Sequence, residues 1–234
     1  MRASLLQPTP LTKPSRAGWC VAMLVGIAAP ALALVLLADA PAPAPLLRVA
    51  APILAVGLMG AAMIAAAASG KLGGGMALAL ASGVGLVLLA QMLGMATLAD
   101  PLSLGLAAVI ASLSFAARGA LFARSAGDKG WWIAIFVVAG EVAILATAIA
   151  LPNALPQWLL ALLPAQWATS AVQTALSGTA LRAAGSVLMA LGGTAATTLV
   201  VALLLPRRWP YVLMFTGWLA FSALVWHWPA PPMP

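Results

Sequence analysis

The chain has 234 residues, of which 64% are hydrophobic and 6% charged, and its mean hydropathy is +1.10. That composition excludes an ordinary soluble domain, and membrane-length segments occupy so much of the chain that no separate globular domain fits beside them. The net charge is +7, but the basic residues fall mostly in the termini and short connections, a pattern that sets membrane orientation and not nucleic-acid binding.

Seven segments are long and apolar enough to cross a hydrocarbon core of about 30 Å: residues 18–38, 47–68, 75–98, 102–123, 131–151, 183–205 and 210–228. The expected fold is an all-α, polytopic transmembrane helix bundle of about seven spans. Residues 1–17 form a cytoplasmic tail, 18–228 the helical domain and 229–234 a short C-terminal tail. Membrane lipids surround the spans.

The first segment imitates a signal peptide. Arg2, Lys13 and Arg16 precede an apolar stretch that ends at Ala38-Asp39-Ala40. That stretch is longer than an h-region of about 7–15 residues, and Pro41 stands directly after the would-be cut. It is expected to remain as an anchor. Cys20 is the only cysteine, which excludes an internal disulfide or a multi-cysteine metal site, and it reads as a packing residue. Pro30 and Pro52 interrupt the first two spans, and residues 40–45 (APAPAP) read as a stiff polyproline-like connector.

Residues 69–75 (SGKLGGG) form a glycine-rich turn before the third span, whose one polar interior residue is Gln91, suited to an interhelical hydrogen bond. Asp100-Pro101 places a capping side chain before a proline at the first helical position. Ser112 and Ser114 lie in the fourth span. Residues 125–130 (SAGDKG) make a tight loop into the fifth span, which carries Thr147 and the only glutamate, Glu141.

Beyond it, residues 155–181 are ambiguous. Pro164 breaks an apolar stretch, after which Gln166, Ser170, Gln173 and Ser177 recur on one helical face, with Trp167, Ala171, Val172 and Leu176 opposite. This reads as an interfacial amphipathic helix on the outer face. Its uncharged stripe suits hydrogen bonds to a partner protein better than to lipid headgroups. A crossing by this segment is the alternative. The sixth span carries Thr194, Thr197 and Thr198, and residues 206–210 (PRRWP) lead into the last, which holds Trp218 at mid-span. Trp19, Trp131, Trp132, Trp209, Trp226 and Trp228 fall at span boundaries, where aromatic side chains anchor helices at headgroup level.

With seven spans and the N-terminus inside, Arg2, Lys13, Arg16, Lys71, Arg118, Arg124, Lys129, Arg207 and Arg208 lie on the cytoplasmic side, with Arg48 and Arg182 opposite. The positive-inside rule selects this orientation over its inverse and favours it over eight spans. The C-terminus then faces away from the cytoplasm, as in a bacterial inner membrane.

A carboxylate at mid-span costs about 2.5–3.5 kcal/mol on insertion scales, so Glu141 needs a partner or a function. The short loop makes the fourth and fifth spans antiparallel neighbours. Counting from its middle puts Arg118 within about 6 Å of Glu141's depth, close enough for an intramembrane ion pair. Such a pair serves packing, or it handles protons or substrate.

Other chemistries lack their residues. There is no P-loop, HExxH motif or nucleophile elbow, and the only histidine, His227, stands apart from any acid. No lysine lies mid-span to form a Schiff base, and Asp39, Asp100 and Asp128 sit in separate loops. No catalytic constellation, metal site or cofactor is therefore expected. Two functions remain: a non-catalytic integral subunit of a larger membrane protein assembly, and a small secondary transporter or channel whose path passes Glu141. The first expects other integral membrane subunits as partners, bound in part through Gln166, Ser170, Gln173 and Ser177. Internal repeats, common in transporters, are not visible.

Overall fold

A computed structural model describes residues 15–38, 46–151, 154–178, 184–204 and 210–228. The N-terminal tail with Arg2 and Lys13, the 40–45 connector, Asp39, Arg182, Arg207, Arg208, Trp209 and the C-terminal tail lie outside the described residues. Among those described there is no strand. The helices are α1 (Arg16–Ala38), α2 (Leu46–Ser69), α3 (Leu72–Met92), α4 (Pro101–Ala126), α5 (Gly130–Ala150), α6 (Gln157–Ala161), α7 (Pro164–Leu176), α8 (Gly185–Leu204) and α9 (Pro210–His227).

By length and composition, five helical runs could cross a membrane: Arg16–Ala38, Val49–Ser69, Leu72–Met92, Pro101–Ala150 and Gly185–Ala202, with Val212–His227 a shorter apolar helix. The chain is therefore an all-α, apolar, multi-pass protein compatible with a membrane. The Pro101–Ala150 run is folded on itself. A 3-10 turn at Gly127–Lys129, with Gly127 at φ 57°, separates α4 from α5, and the two pack together.

Most boundaries fall within a few residues of the sequence reading. The third span is the exception, since α3 stops at Met92 and not at residue 98. Gly94 takes φ 69° and donates its N–H to the Gln91 carbonyl at 2.9 Å, while Met95 N–H reaches the Ala90 carbonyl at 2.8 Å and its side chain is buried. That is a Schellman stop, which only a glycine makes without steric penalty.

The bundle is built around α2. Eighty-three percent of the Val49–Ser69 stretch is buried, against 22% for α1 and α3. α2 packs against α1, α3, α4, α5 and α7, and its fully buried face is Ala61, Ala62, Ala65 and Ala66. Small side chains let backbones approach closely where lipid offers no hydrophobic drive. The α1 contact shows how tight this is: a Cβ on Gly26 would stand 2.5 Å from Ala61 N. Gly26 lies in a π-helical turn, Leu24–Ala28, whose Ala29 N–H bonds back to the Leu24 carbonyl. Pro30, four residues on, has no N–H for the Gly26 carbonyl and would press its ring on it, so the wider turn relieves the clash.

The bundle has two recognisable ends. At the near end Ser15 N–H meets the Ala68 carbonyl at 3.0 Å, Gly74 faces Trp19, and Trp131 lies against Gly18. At the far end Leu34, Ala50, Leu86, Met95, Leu104, Val172 and Leu176 form one buried cluster. α8 lies on α4 and α7, and α9 lies on α8 and α6. α4 and α8 run parallel, because Ser114 Oγ meets Thr194 Oγ1 at 3.1 Å while Arg124 Nη1 donates to the Ala202 carbonyl further along both helices.

Candidate functional site

The site begins with a helix that starts without a cap of its own. Pro164 is the first residue of α7, and Leu163 before it has no side chain that can accept a hydrogen bond. Proline pre-sets the helical φ but has no N–H. Gln166 and Trp167 N–H groups turn back to the Leu163 carbonyl at 3.0 and 3.2 Å. The Ala165 N–H remains, and Glu141 Oε2 accepts it at 2.8 Å. The lone glutamate of α5 is thus the cap of α7, supplied from another helix.

The carbonyls at the break are held by indoles. Trp167 Nε1 donates to the Ala161 carbonyl at 2.8 Å, and Trp218 Nε1, from α9, donates to the Leu162 carbonyl at 2.9 Å. Irregular backbone at membrane depth requires such partners inside the protein. Trp218, read from sequence as a packing residue, also meets Phe215 edge-on at 5.9 Å.

The break lies deep. Glu141 is about 14 Å from the C-terminal end of α5, at about 1.5 Å per residue. α7 is only about 20 Å long and leads away from this point to the far end. There a Cβ on Gly178 would stand 2.9 Å from that of Ala99, and Val172, Ala175 and Leu176 join the far-end cluster. The chain leaves α5 at the far end, descends through α6 to mid-depth, and returns through α7 to the end it left. The parallel run of α4 and α8 requires this, since a full crossing by α7 would make them antiparallel.

The structure corrects the expectation of one interfacial helix over 155–181. The segment is two helices, and α7 is embedded between α2, α4 and α8. Its face of Ala165, Trp167, Ala168, Ala171, Val172 and Ala175 is buried because mostly small residues, with one tryptophan, fit the groove between these helices. Gln166, Ser170 and Gln173 remain half-buried and Ser177 is exposed, so the polar stripe is the open edge of a buried helix. The Gln166 and Gln173 amides make no hydrogen bond among the described residues. Ser177 Oγ bonds back to the Thr174 carbonyl at 3.0 Å.

Arg118 and Glu141 are both buried, at 8% and 7% exposure, and feel each other's charge across α4 and α5. They are not in direct ion-pair contact, contrary to the simplest sequence expectation. Each has other partners. Arg118 Nη2 donates to Ser114 Oγ at 3.4 Å and Thr194 Oγ1 at 3.2 Å, and the guanidinium carbon lies 5.8 Å from the Phe115 ring centre. Thr194 thereby ties α8 to the cluster.

The remaining candidates stand apart. Gln91 is half-buried in the last turn of α3 and its side chain makes no hydrogen bond among the described residues, so it joins neither Arg118 nor Glu141. Ser112 Oγ is buried without a partner. Thr147, Thr197 and Thr198 bond back to carbonyls of their own helices. Trp131 and Trp132 stack at 4.5 Å, and Cys20 is exposed.

The arrangement can hold one positive and one negative charge at mid-depth, present a helix N-terminus to an anion, and take up or release a proton at Glu141. Sequence reasoning missed the contribution of the Ala165 N–H. The available signal was a helix beginning Leu163-Pro164, with no cap of its own, in a chain with one unexplained intramembrane acid. The chain matches no protein-family profile, no curated protein and no solved structure.

Proposed function

We propose that this chain is a small integral membrane transporter in which Glu141 exchanges protons on a path that passes the break between α6 and α7. The observation that carries the reading is the meeting of the only glutamate with the N-terminus of a buried half-helix at mid-depth. Ionisable residues inside a membrane mark ion and substrate pathways, and discontinuous helices whose termini face charged groups build the sites of many transporters. The reading places seven crossings in a membrane of bacterial inner-membrane type. The N-terminus, the 69–74 turn and Arg207-Arg208 are cytoplasmic, and the 151–178 segment re-enters from the opposite side. The test is proton flux into liposomes carrying the purified chain and a pH-sensitive dye. Glu141→Gln should abolish flux with helix content unchanged. Wild-type vesicles as tight to protons as empty ones overturn the reading.

A second reading, a non-catalytic subunit of a membrane assembly, is favoured by one observation: the Gln166 and Gln173 amides have no partner in the chain. Buried amides need hydrogen bonds, which a neighbouring subunit supplies as well as water does. Purification in mild detergent with mass spectrometry of co-purifying chains separates the two. Replacing Gln166, Ser170 and Gln173 with leucine should release a partner while the bundle stays folded. A wild-type chain that runs alone sinks this second reading.

A further inference from the structure

Two independent sources of positive potential converge on Glu141. One is the N-terminus of α7, a helix of 13 residues whose free Ala165 N–H points at the carboxylate. Aligned peptide dipoles give such a terminus about half a positive charge, and free N–H groups there bind anions. The other is Arg118, whose full charge is buried and has no carboxylate in direct contact. Only its Nη2 donates, to two neutral hydroxyls; Nε and Nη1 make no hydrogen bond among the described residues. The place is built for an anion, and the occupant is a side chain of the chain itself.

We propose that the α7 N-terminus and Arg118 form a binding site for a small monovalent inorganic anion, such as chloride, bromide or nitrate. Glu141 fills it as a tethered occupant, and proton uptake by Glu141 frees it. This rests on the transporter reading and adds the co-substrate. The charges balance: one proton neutralises the carboxylate and one anion takes over its negative charge. Arg118 and the helix terminus are then never left uncompensated in a medium of low dielectric. A dianion would bring a second negative charge that nothing here offsets.

The titration is confined to Glu141. Its helix packs against α2, α4, α7 and the 127–129 turn. α2 from residue 49 onward and α7 carry no charged side chain. On α4 only Arg118 faces it, because Arg124 sits further along and donates to the Ala202 carbonyl. Asp128 and Lys129 lie in the turn at the near end.

The experiment follows thermal unfolding of the full chain in detergent while chloride replaces gluconate at constant ionic strength. At alkaline pH the wild type should be indifferent to the exchange, and a saturable rise of Tm with chloride should emerge as the medium is acidified. Glu141→Ala should respond to chloride at every pH. The double variant Glu141→Ala, Arg118→Gln should lose the response. Should Glu141→Ala not fold, Glu141→Gln, a neutral isostere, carries the comparison. A folded Glu141 variant whose Tm is the same in chloride and gluconate overturns the anion site. If wild-type liposomes also conduct protons in chloride-free medium, the transporter reading survives that failure. Liposomes tight to protons, beside a Glu141→Ala variant that responds to chloride through Arg118, would overturn the transport reading and leave the binding site standing.

Discussion

Truncating Glu141 tests the reasoning about this cluster most directly. Glu141→Ala removes the acceptor of the Ala165 N–H and leaves Arg118 as a buried charge without its counter-charge. A lost N-cap costs about 0.5–2 kcal/mol. Removing one partner of a buried ion pair typically costs about 3–5 kcal/mol, and the lower end applies because these two groups are not in contact. The sum is roughly 4 kcal/mol. Glu141→Gln keeps an oxygen for the Ala165 N–H and loses only the charge, so it should cost about 1 kcal/mol less than alanine. Adding Arg118→Gln to Glu141→Gln removes both charges. The double variant should therefore be more stable than the sum of the single losses, by roughly 1–3 kcal/mol. The assay is unfolding in mixed micelles, with helicity and tryptophan fluorescence as probes. Equal losses for Ala and Gln would refute the capping role, and strictly additive losses would refute the electrostatic coupling.

Other consequences can be measured on the same footing. Trp167, fully buried, should lose about 3–5 kcal/mol on truncation to alanine, whereas Trp218→Phe removes chiefly the donor to the Leu162 carbonyl and should cost about 1–3 kcal/mol by the same unfolding assay. Asp100 caps α4, and the Ser103 hydroxyl, with help from the Ser103 N–H, holds its carboxyl below its ordinary pKa. A depressed folded-state value means that the contribution is present above the unfolded pKa and lost as pH falls through the folded one. Asp100→Ala should therefore be less stable than wild type at neutral pH, with the gap narrowing as the medium is acidified below the carboxylate range. Single cysteines at Ala99 and Ser177, in a Cys20→Ser background, should react with an impermeant thiol reagent from the same side of the membrane. Labelling from opposite sides would mean that the segment after α5 crosses.

The elements were legible because membrane helices are written in composition. A run such as Trp131 to Ala150 is helical whatever surrounds it, since lipid leaves no other way to satisfy its backbone. The Asp100-Pro101 start and the Pro164 break are local chemistry, and both stand where the sequence placed them. The end of α3 was misread because Gly94 was weighed as one more small residue, when its positive φ makes it a stop. At the site, Glu141 and Arg118 were found by the rarity of charge in the spans and by their spacing across a short loop. What they touch was not, since the partner of Glu141 is a backbone N–H that composition cannot mark.

By itself, then, the sequence determines that the chain is an apolar helical bundle, where most helices start and stop, and which charged residues lie deep. Each follows from propensity, proline and glycine chemistry, or the cost of a charge in hydrocarbon, all acting within a few residues. Tertiary structure alone decided that α7 turns back at mid-depth, that Glu141 caps it, and that Arg118 leans on Ser114 and Thr194. The direction of α7 depends on the groove that α2, α4 and α8 leave open and on the small residues that fit it. Its cap comes from a residue 24 positions away, across a helix interface that does not exist until the bundle has packed.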